Sequence, residues 1–375
     1  MVEEHTPHAA LRARLHELPP DLRAHVEALL AENQRLREEV ASLRARLDAR
    51  GTSRRERTPT LDRTAAVPKP KYPETTTLVV LSALGRGKRT PINTYTPQHR
   101  GGVGVFDIKL PEEDTPAHLL VAGEGATIFC LSDRGRAFRV PVNAFPLTDI
   151  RAAGAPLSPH LNLAPGERIT AATVMDPDTP WTHLFIVTEH GWVKRLRHNY
   201  VGPRLGPGTA LHDPRREGGA PRVLFVGTEE KDLFIVTHRG IGIRFPVVAA
   251  PGRGARGIML QRDDHVVGAA QVDDSSTVLM VTASGQGTRR EMSGFAANRS
   301  PGGKGKIAMR ADDVIAIAVA DEGDEAFCIT RFAKILRFPV AEVPVRQNPV
   351  RGVEVMNVRG DTVAALVVST PPQIA

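Results

Sequence analysis

The sequence predicts an all-β array of six blades around an axis, preceded by an α-helical coiled coil. Three observations carry this: a hairpin signature that occurs six times, a period near fifty residues between its copies, and a heptad pattern upstream of the first copy. The signature is clearest from Leu184 to Arg195. There an apolar β-branched run ends at Thr188, a polar turn is closed by Gly191, and a second strand leaves carrying Arg195. The same order of hydroxyl residue, glycine and arginine recurs as Ser82/Gly85/Arg89, Ser132/Gly135/Arg139, Thr237/Gly240/Arg244 and Thr282/Gly285/Arg289. A sixth copy, Thr330/Ala333/Arg337, lacks only the glycine. Successive anchors lie 50, 56, 49, 45 and 48 residues apart, a fixed period that means a radial or solenoidal β array.

Residues 1–20 are polar and give no structural signal. A helix is predicted from Asp21, an N-cap directly after Pro19-Pro20. Leu22, Leu29, Leu36 and Leu43 then fall at heptad position d, and Val26, Asn33, Val40 and Leu47 at a. β-Branched residues at a with Leu at d favour two parallel strands, and a single Asn at a fixes register and dimer state. Glu32 facing Arg37 and Glu39 facing Arg44 are attractive pairs in that arrangement. Within the segment 1–49, residues 21–49 are therefore expected to form a parallel homodimer through Val26, Leu29, Asn33, Leu36, Val40 and Leu43. The alternative, a helix packed on its own domain, leaves Asn33 without a natural partner.

Residues 50–75 read as a flexible basic linker. Arg50, Arg54, Arg55, Arg57, Arg63, Lys69 and Lys71 lie among Ser, Thr and Pro without periodicity. Such a tether either holds phosphates non-specifically or is simply solvated. The blades are expected over residues 76–371. After each arginine comes a short strand such as Ile243-Arg244-Phe245-Pro246-Val247, whose proline marks an edge or bulge, and then a Gly/Pro/Arg loop.

Composition narrows the function classes. With 41% hydrophobic residues in 375, the chain can bury a sizeable core. The two cysteines, Cys130 and Cys328, share one repeat position, two residues before the hydroxyl anchor. They read as buried strand residues in a reducing cytoplasm, not as a disulfide. The sequence opens without a signal-peptide pattern, and no apolar run approaches the roughly 20 residues of a membrane span, so no membrane partner is expected. The 13 histidines lack ligand spacing, so no metal is expected. No phosphate-binding loop, serine elbow or framed carboxylate dyad points to catalysis. A net charge of +7 favours a polyanionic partner.

Residues 78 to 104 end in Tyr95-Thr96-Pro97-Gln98-His99-Arg100-Gly101-Gly102-Val103-Gly104. The second unit contains Leu131-Ser132-Asp133-Arg134-Gly135-Arg136-Ala137-Phe138-Arg139 and Leu163-Ala164-Pro165-Gly166-Glu167-Arg168-Ile169. These stretches resemble the C-terminal domain of the DNA gyrase and topoisomerase IV A-subunit family, with its box of Gln, two basic residues, Gly-Gly, a basic residue and Gly. The resemblance covers about 290 residues and all six units. It implies a six-bladed β-pinwheel that binds double-stranded DNA around its outer edge and bends or wraps it. The family's catalytic Tyr and Arg belong to a large N-terminal region. Here only 75 residues precede the array, and Tyr72, Tyr95 and Tyr200 lack the helical setting and acidic cluster that strand cleavage needs. A free-standing, non-enzymatic pinwheel without cofactors is expected.

The resemblance places DNA contacts at Gln98, His99, Arg100, Gly101, Gly102 and Gly104. His99 and Val103 stand where the family has Lys or Arg. The glycines would let the backbone approach a phosphate and present N–H groups to it. A second cluster, Asn298 to Lys306, reads as an extra phosphate cradle through Arg299, Gly302, Gly303, Lys304 and Lys306, or else as a surface loop. Arg253, Arg256 and Arg351 occupy corresponding loops, and Arg215-Arg216 decorate a longer one. The six repeated arginines read first as structural, spanning to a carboxylate or carbonyl, and second as DNA contacts. The expected protein is cytoplasmic and nucleoid-associated, binding and bending or wrapping DNA alone or with a topoisomerase core in trans. The alternative is a propeller-like protein-interaction platform whose DNA site has decayed.

Overall fold

The computed structural model describes residues 72–298 and 300–372. In the N-terminal segment it also describes Ala24, Val26, Glu27, Ala31, Glu32, Gln34, Arg35 and Glu38, all helical. Val26 is half-buried, while Leu29, Asn33, Leu36, Val40 and Leu43 lie outside the described residues.

Each blade starts from the predicted hairpin. In blade 1, Thr77–Ser82 pairs antiparallel with Arg86–Pro91, and Pro116–Ala122 adds on the inner side. Blades 2 to 6 repeat this with hairpins Thr127–Ser132/Arg136–Pro141, His183–Thr188/Trp192–Arg197, Asp232–Thr237/Ile241–Pro246, Thr277–Thr282/Gln286–Glu291 and Glu325–Thr330/Lys334–Pro339. Their inner strands are Ile169–Met175, Pro221–Gly227, Val266–Val272, Val314–Val319 and Val363–Ser369.

The turn chemistry explains the repeated signature. The anchor hydroxyl accepts the N–H four residues on, Ser82 from Arg86 at 2.9 Å, Thr282 from Gln286 at 3.0 Å and Thr330 from Lys334 at 3.1 Å. The closing residue takes a left-handed backbone, φ +78° at Gly85 and +81° at Gly285. Ala333 adopts +59° at the unit without glycine, a conformation that disfavours a side chain.

Stacking of blades explains the unbroken apolar runs. A strand covered on both faces loses the in–out alternation of a half-exposed sheet. Six core clusters fill the joints between neighbouring blades, from Val79, Leu81, Ile128 and Cys130 between blades 1 and 2 to Phe327, Ile329, Leu78 and Val80 between blades 6 and 1. Cys130 and Cys328 are free and fully buried in two of these joints, and burial pushes the Cys328 thiol up to about 12. The prolines differ from expectation. Pro91, Pro141, Pro246 and Pro339 close their strands, and each caps a 3-10 turn with φ between −52° and −65°.

The outermost strand of every blade comes from the following unit. Ala155–Pro156 completes blade 1, Thr209–Ala210 blade 2, Ala255–Arg256 blade 3, Lys306–Ile307 blade 4, and Val345–Arg346 with Val353–Glu354 blade 5. The first unit gives Val105–Phe106 to blade 6, where they pair with Ile335 and Lys334. The ring is thus closed by strand exchange. The packed body also begins before residue 76: Tyr72 is 3% exposed and its hydroxyl donates to the Ser369 carbonyl at 3.2 Å. Among the described residues no helix is long and apolar enough to cross a membrane.

Candidate nucleic-acid interface

Each exchanged strand is entered through a glycine: Gly104, Gly154, Gly208, Gly254, Gly305 and Gly352. At Gly104 a Cβ would lie 2.6 Å from the Ile335 carbonyl oxygen, and at Gly305 2.5 Å from that of Gly242. No side chain fits so close to a neighbouring strand. The residue before this glycine therefore occupies one equivalent rim position in all six units. It is Val103 on blade 6, Ala153 on blade 1, Pro207 on blade 2, Arg253 on blade 3, Lys304 on blade 4 and Arg351 on blade 5. Arg256 and Lys306 follow within the rim strands of blades 3 and 4. Arg253, Arg256, Lys304, Lys306 and Arg351 are all exposed. Among the described residues none of the five has a carboxylate within ion-pair distance. Three consecutive blades thus carry an unneutralised basic arc.

The box from Gln98 to Gly104 lies elsewhere, on the rim of blade 6. Gln98 N donates to the Arg337 carbonyl at 2.8 Å, Gly101 N to the Val355 carbonyl at 2.7 Å and Gly102 N to the His99 carbonyl at 3.2 Å. The amides of Gly101 and Gly102, expected to meet a phosphate, are instead taken up by the fold, so these glycines serve close packing of the rim. His99 Nδ1 stands 2.6 Å from Glu342 Oε1, and Arg100 N donates to Glu342 Oε2 at 2.7 Å. The Arg100 guanidinium donates to the carbonyls of Glu342 at 2.9 Å and Glu354 at 3.0 Å.

The second glycine cluster is the same device one joint away. Asn298 N donates to the Arg244 carbonyl at 2.6 Å and Gly302 N to the Gly257 carbonyl at 2.8 Å, while Gly303 bridges Ile258 as Gly102 bridges Met356. These bonds align Asn298 with Gln98, Gly302 with Gly101, and Lys304 with Val103. One inserted residue explains why the cluster falls late. Arg299 lies outside the described residues. No carboxylate matches Glu342 here, because the third residue of the corresponding turn is Ala249. Sequence reading missed Glu342, which ends a 3-10 turn whose counterparts end in Thr94, Ala144, Tyr200 and Ala249.

The repeated arginines knit neighbouring blades. Arg89 donates to the Phe145 carbonyl at 3.1 Å, Arg139 to that of Val201 at 2.6 Å, Arg289 to that of Val343 at 2.7 Å and Arg337 to that of Tyr95 at 2.8 Å. Arg244 reaches the Met292 carbonyl at 2.9 Å. Each acceptor lies at or beside the 3-10 turn, or the corresponding turn, of the next unit. Arg195 departs from the pattern and pairs with Glu229.

A family model described as the DNA gyrase C-terminal domain, beta-propeller, matches residues 76–121, 126–174, 231–273, 276–321 and 324–369. The chain belongs to this family. The matched segments are units one, two, four, five and six; the unit of Arg195 falls between them. The DNA gyrase A protein of Aminobacterium colombiense is 30% identical over 309 residues, covering 80% of this chain and 37% of that protein. Its Salmonella typhimurium counterpart is 31% identical over 286 residues, covering 74% and 32%. The chain therefore spans about a third of the length of the curated relatives it matches. The solved gyrase A C-terminal domain superposes with a TM-score of 0.69 at 19% identity, covering 78% of this chain and 98% of that one. The topoisomerase IV C-terminal domain gives 0.56 at 16% identity, covering 79% and 94%. Both share the fold.

Proposed function

We propose that this chain is a non-catalytic DNA-binding member of the gyrase A C-terminal domain family. It holds duplex DNA against its rim and bends or wraps it, alone or beside a topoisomerase core in trans. The observation that carries this reading is the basic arc of Arg253, Arg256, Lys304, Lys306 and Arg351 on three consecutive blades. Cations without internal counter-ions gain most from releasing the counter-ions of a phosphate backbone. Phosphate recognition of that kind carries no base information, so binding is sequence-tolerant. The box contributes at its margin through Gln98, His99 and Arg100, and its glycines Gly101, Gly102 and Gly104 hold the rim strand in place. Gly302 and Gly303 do the same beside Lys304. N-terminal helices pair two such rings.

The test is a salt titration of DNA affinity with the intact chain and with Arg253→Ser, Lys304→Ser and Arg351→Ser combined. The log–log slope should fall by about 0.9 for each phosphate that is no longer neutralised. Relaxation of plasmid in the presence of the protein, followed by ligation, should shift topoisomers with the intact chain and not with the variant. An unchanged slope and topoisomer ladder would transfer the assignment to the protein-platform reading. That reading has its support on blades 6 and 1, where Val103 and Ala153 replace cations and Phe106 and Leu147 are 37% and 54% exposed.

A further inference from the structure

The inner strands of the six blades surround an axial channel of about 900 Å³, away from the rim. Its charged lining residues are Arg168, Arg222 and Arg331; no Asp or Glu lines it among the described residues. All three arginines gather at one mouth. Arg168 immediately precedes the inner strand of blade 2, and Arg222 is the second residue of that of blade 3. The Arg331 N–H bonds the Thr362 carbonyl, next to the start of the inner strand of blade 6. Carboxylates near this mouth are engaged by backbone amides instead. Glu189 Oε1 accepts from Ala220 N at 2.8 Å, and Asp361 Oδ1 from Thr362 N at 2.7 Å.

Beyond the collar the walls carry apolar side chains, Leu119, Val267, Ile317 and Ala365 among them, interleaved with Thr115, Thr170 and Thr173. Two wall residues keep polar atoms without any partner, His118 Nε2 and Thr170 Oγ1. Burial, aided by the charge of Arg222, keeps the His118 imidazole neutral, its pKa down at about 4. Arg222 itself is reached by solvent, yet protein crowds it enough to pull its pKa below the usual guanidinium range. The charge of Glu189 offsets this only in part, and an anion in the channel relieves it further.

We propose that the channel binds a small amphiphilic anion, with its acidic head on the arginine collar and its apolar body in the bore. The volume lies within the roughly 300–1,000 Å³ of small-molecule sites. The two halves of the site require both properties in one ligand. Inorganic phosphate alone gains nothing from the bore, and an uncharged hydrocarbon nothing from the collar.

Anilinonaphthalene sulfonate, which joins an anionic group to an aromatic body, is the direct probe, and uncharged phenylnaphthylamine is its control. The full chain should bind the sulfonate with one-to-one stoichiometry and the uncharged dye at least about tenfold more weakly, the scale of a hydrogen bond to a charged group. Arg222→Gln should weaken the sulfonate by a similar factor, and Ala364→Trp should plug the bore and abolish binding. The exposed Arg168→Gln and Arg331→Gln provide the same test without touching the blade packing. Arg253→Ser with Arg351→Ser should leave dye binding unchanged while weakening DNA, which separates this site from the rim. Equal binding of the two dyes, indifference to all three collar substitutions, or displacement of the dye by duplex DNA would overturn the proposal.

Discussion

The repeated arginine acts, in five of the six units, as a strut whose value depends on what it leaves behind when removed. Arg337 is 3% exposed and divides its guanidinium between Glu325, itself 2% exposed, and the carbonyls of Ile92 and Tyr95 across the ring closure. Arg337→Leu leaves a buried carboxylate without its cation, so a loss of about 3–5 kcal/mol is expected. Arg89 also donates to a carbonyl, but its nearest carboxylate, Glu124, is 4.0 Å away and 62% exposed. Arg89→Leu should lose only about 1 kcal/mol, the scale of one hydrogen bond. Urea midpoints of the two variants check the contrast, and equal losses would contradict it. The recurrence of these arginines and their structural role are legible in the sequence. Their acceptors are not, because a main-chain carbonyl in the next unit has no side-chain signature.

At the scale of elements, the box and the basic arc separate two duties that one motif seemed to combine. Arg100 holds the carbonyls of Glu342 and Glu354, fastening the first unit onto the last. Arg351 holds no carboxylate and projects from an equivalent stretch of rim on blade 5. Arg100→Ala is therefore expected to lower stability by about 1–2 kcal/mol while moving the salt slope of DNA binding little. Arg351→Ser should shift that slope by about 0.9 and leave the unfolding free energy from urea titration within about 0.5 kcal/mol. The opposite pattern would return the main DNA contact to the box. The hairpins themselves follow from their hydroxyl and glycine spacing, because the turn chemistry is local. The exchanged rim strands could not be read, since two residues carry no periodicity and their partners lie in the preceding unit. For the same reason Arg253, Lys304 and Arg351 stand out in the sequence as loop cations, but their equivalence to Val103 emerges only from shared hydrogen bonds around an inserted residue.

For the whole molecule, the arc covers three of six blades, so under the proposed function one ring would offer DNA a short curved contact instead of a full circuit. Two rings on one tether, as proposed, would change that balance. Once the first arc is seated, the second acts at the millimolar effective concentration typical of a short flexible connection, provided the tether spans the gap. The sequence of residues 21–49, with Asn33 at a core heptad position, is the natural joint for such a pair. The intact chain is therefore expected to sediment as a dimer at concentrations near 100 μM, generous for a coiled coil of roughly four heptads. Removing residues 1–49 should give monomers and weaken binding to a long duplex by about tenfold or more, while binding to a duplex too short for two rings changes little. Asn33→Leu should strengthen association but broaden the mass distribution, because a polar residue at an a position favours the two-stranded state. A monomeric mass for the intact chain at that concentration, or equal losses on long and short duplexes, would remove the paired-ring arrangement and leave each ring to bend DNA alone.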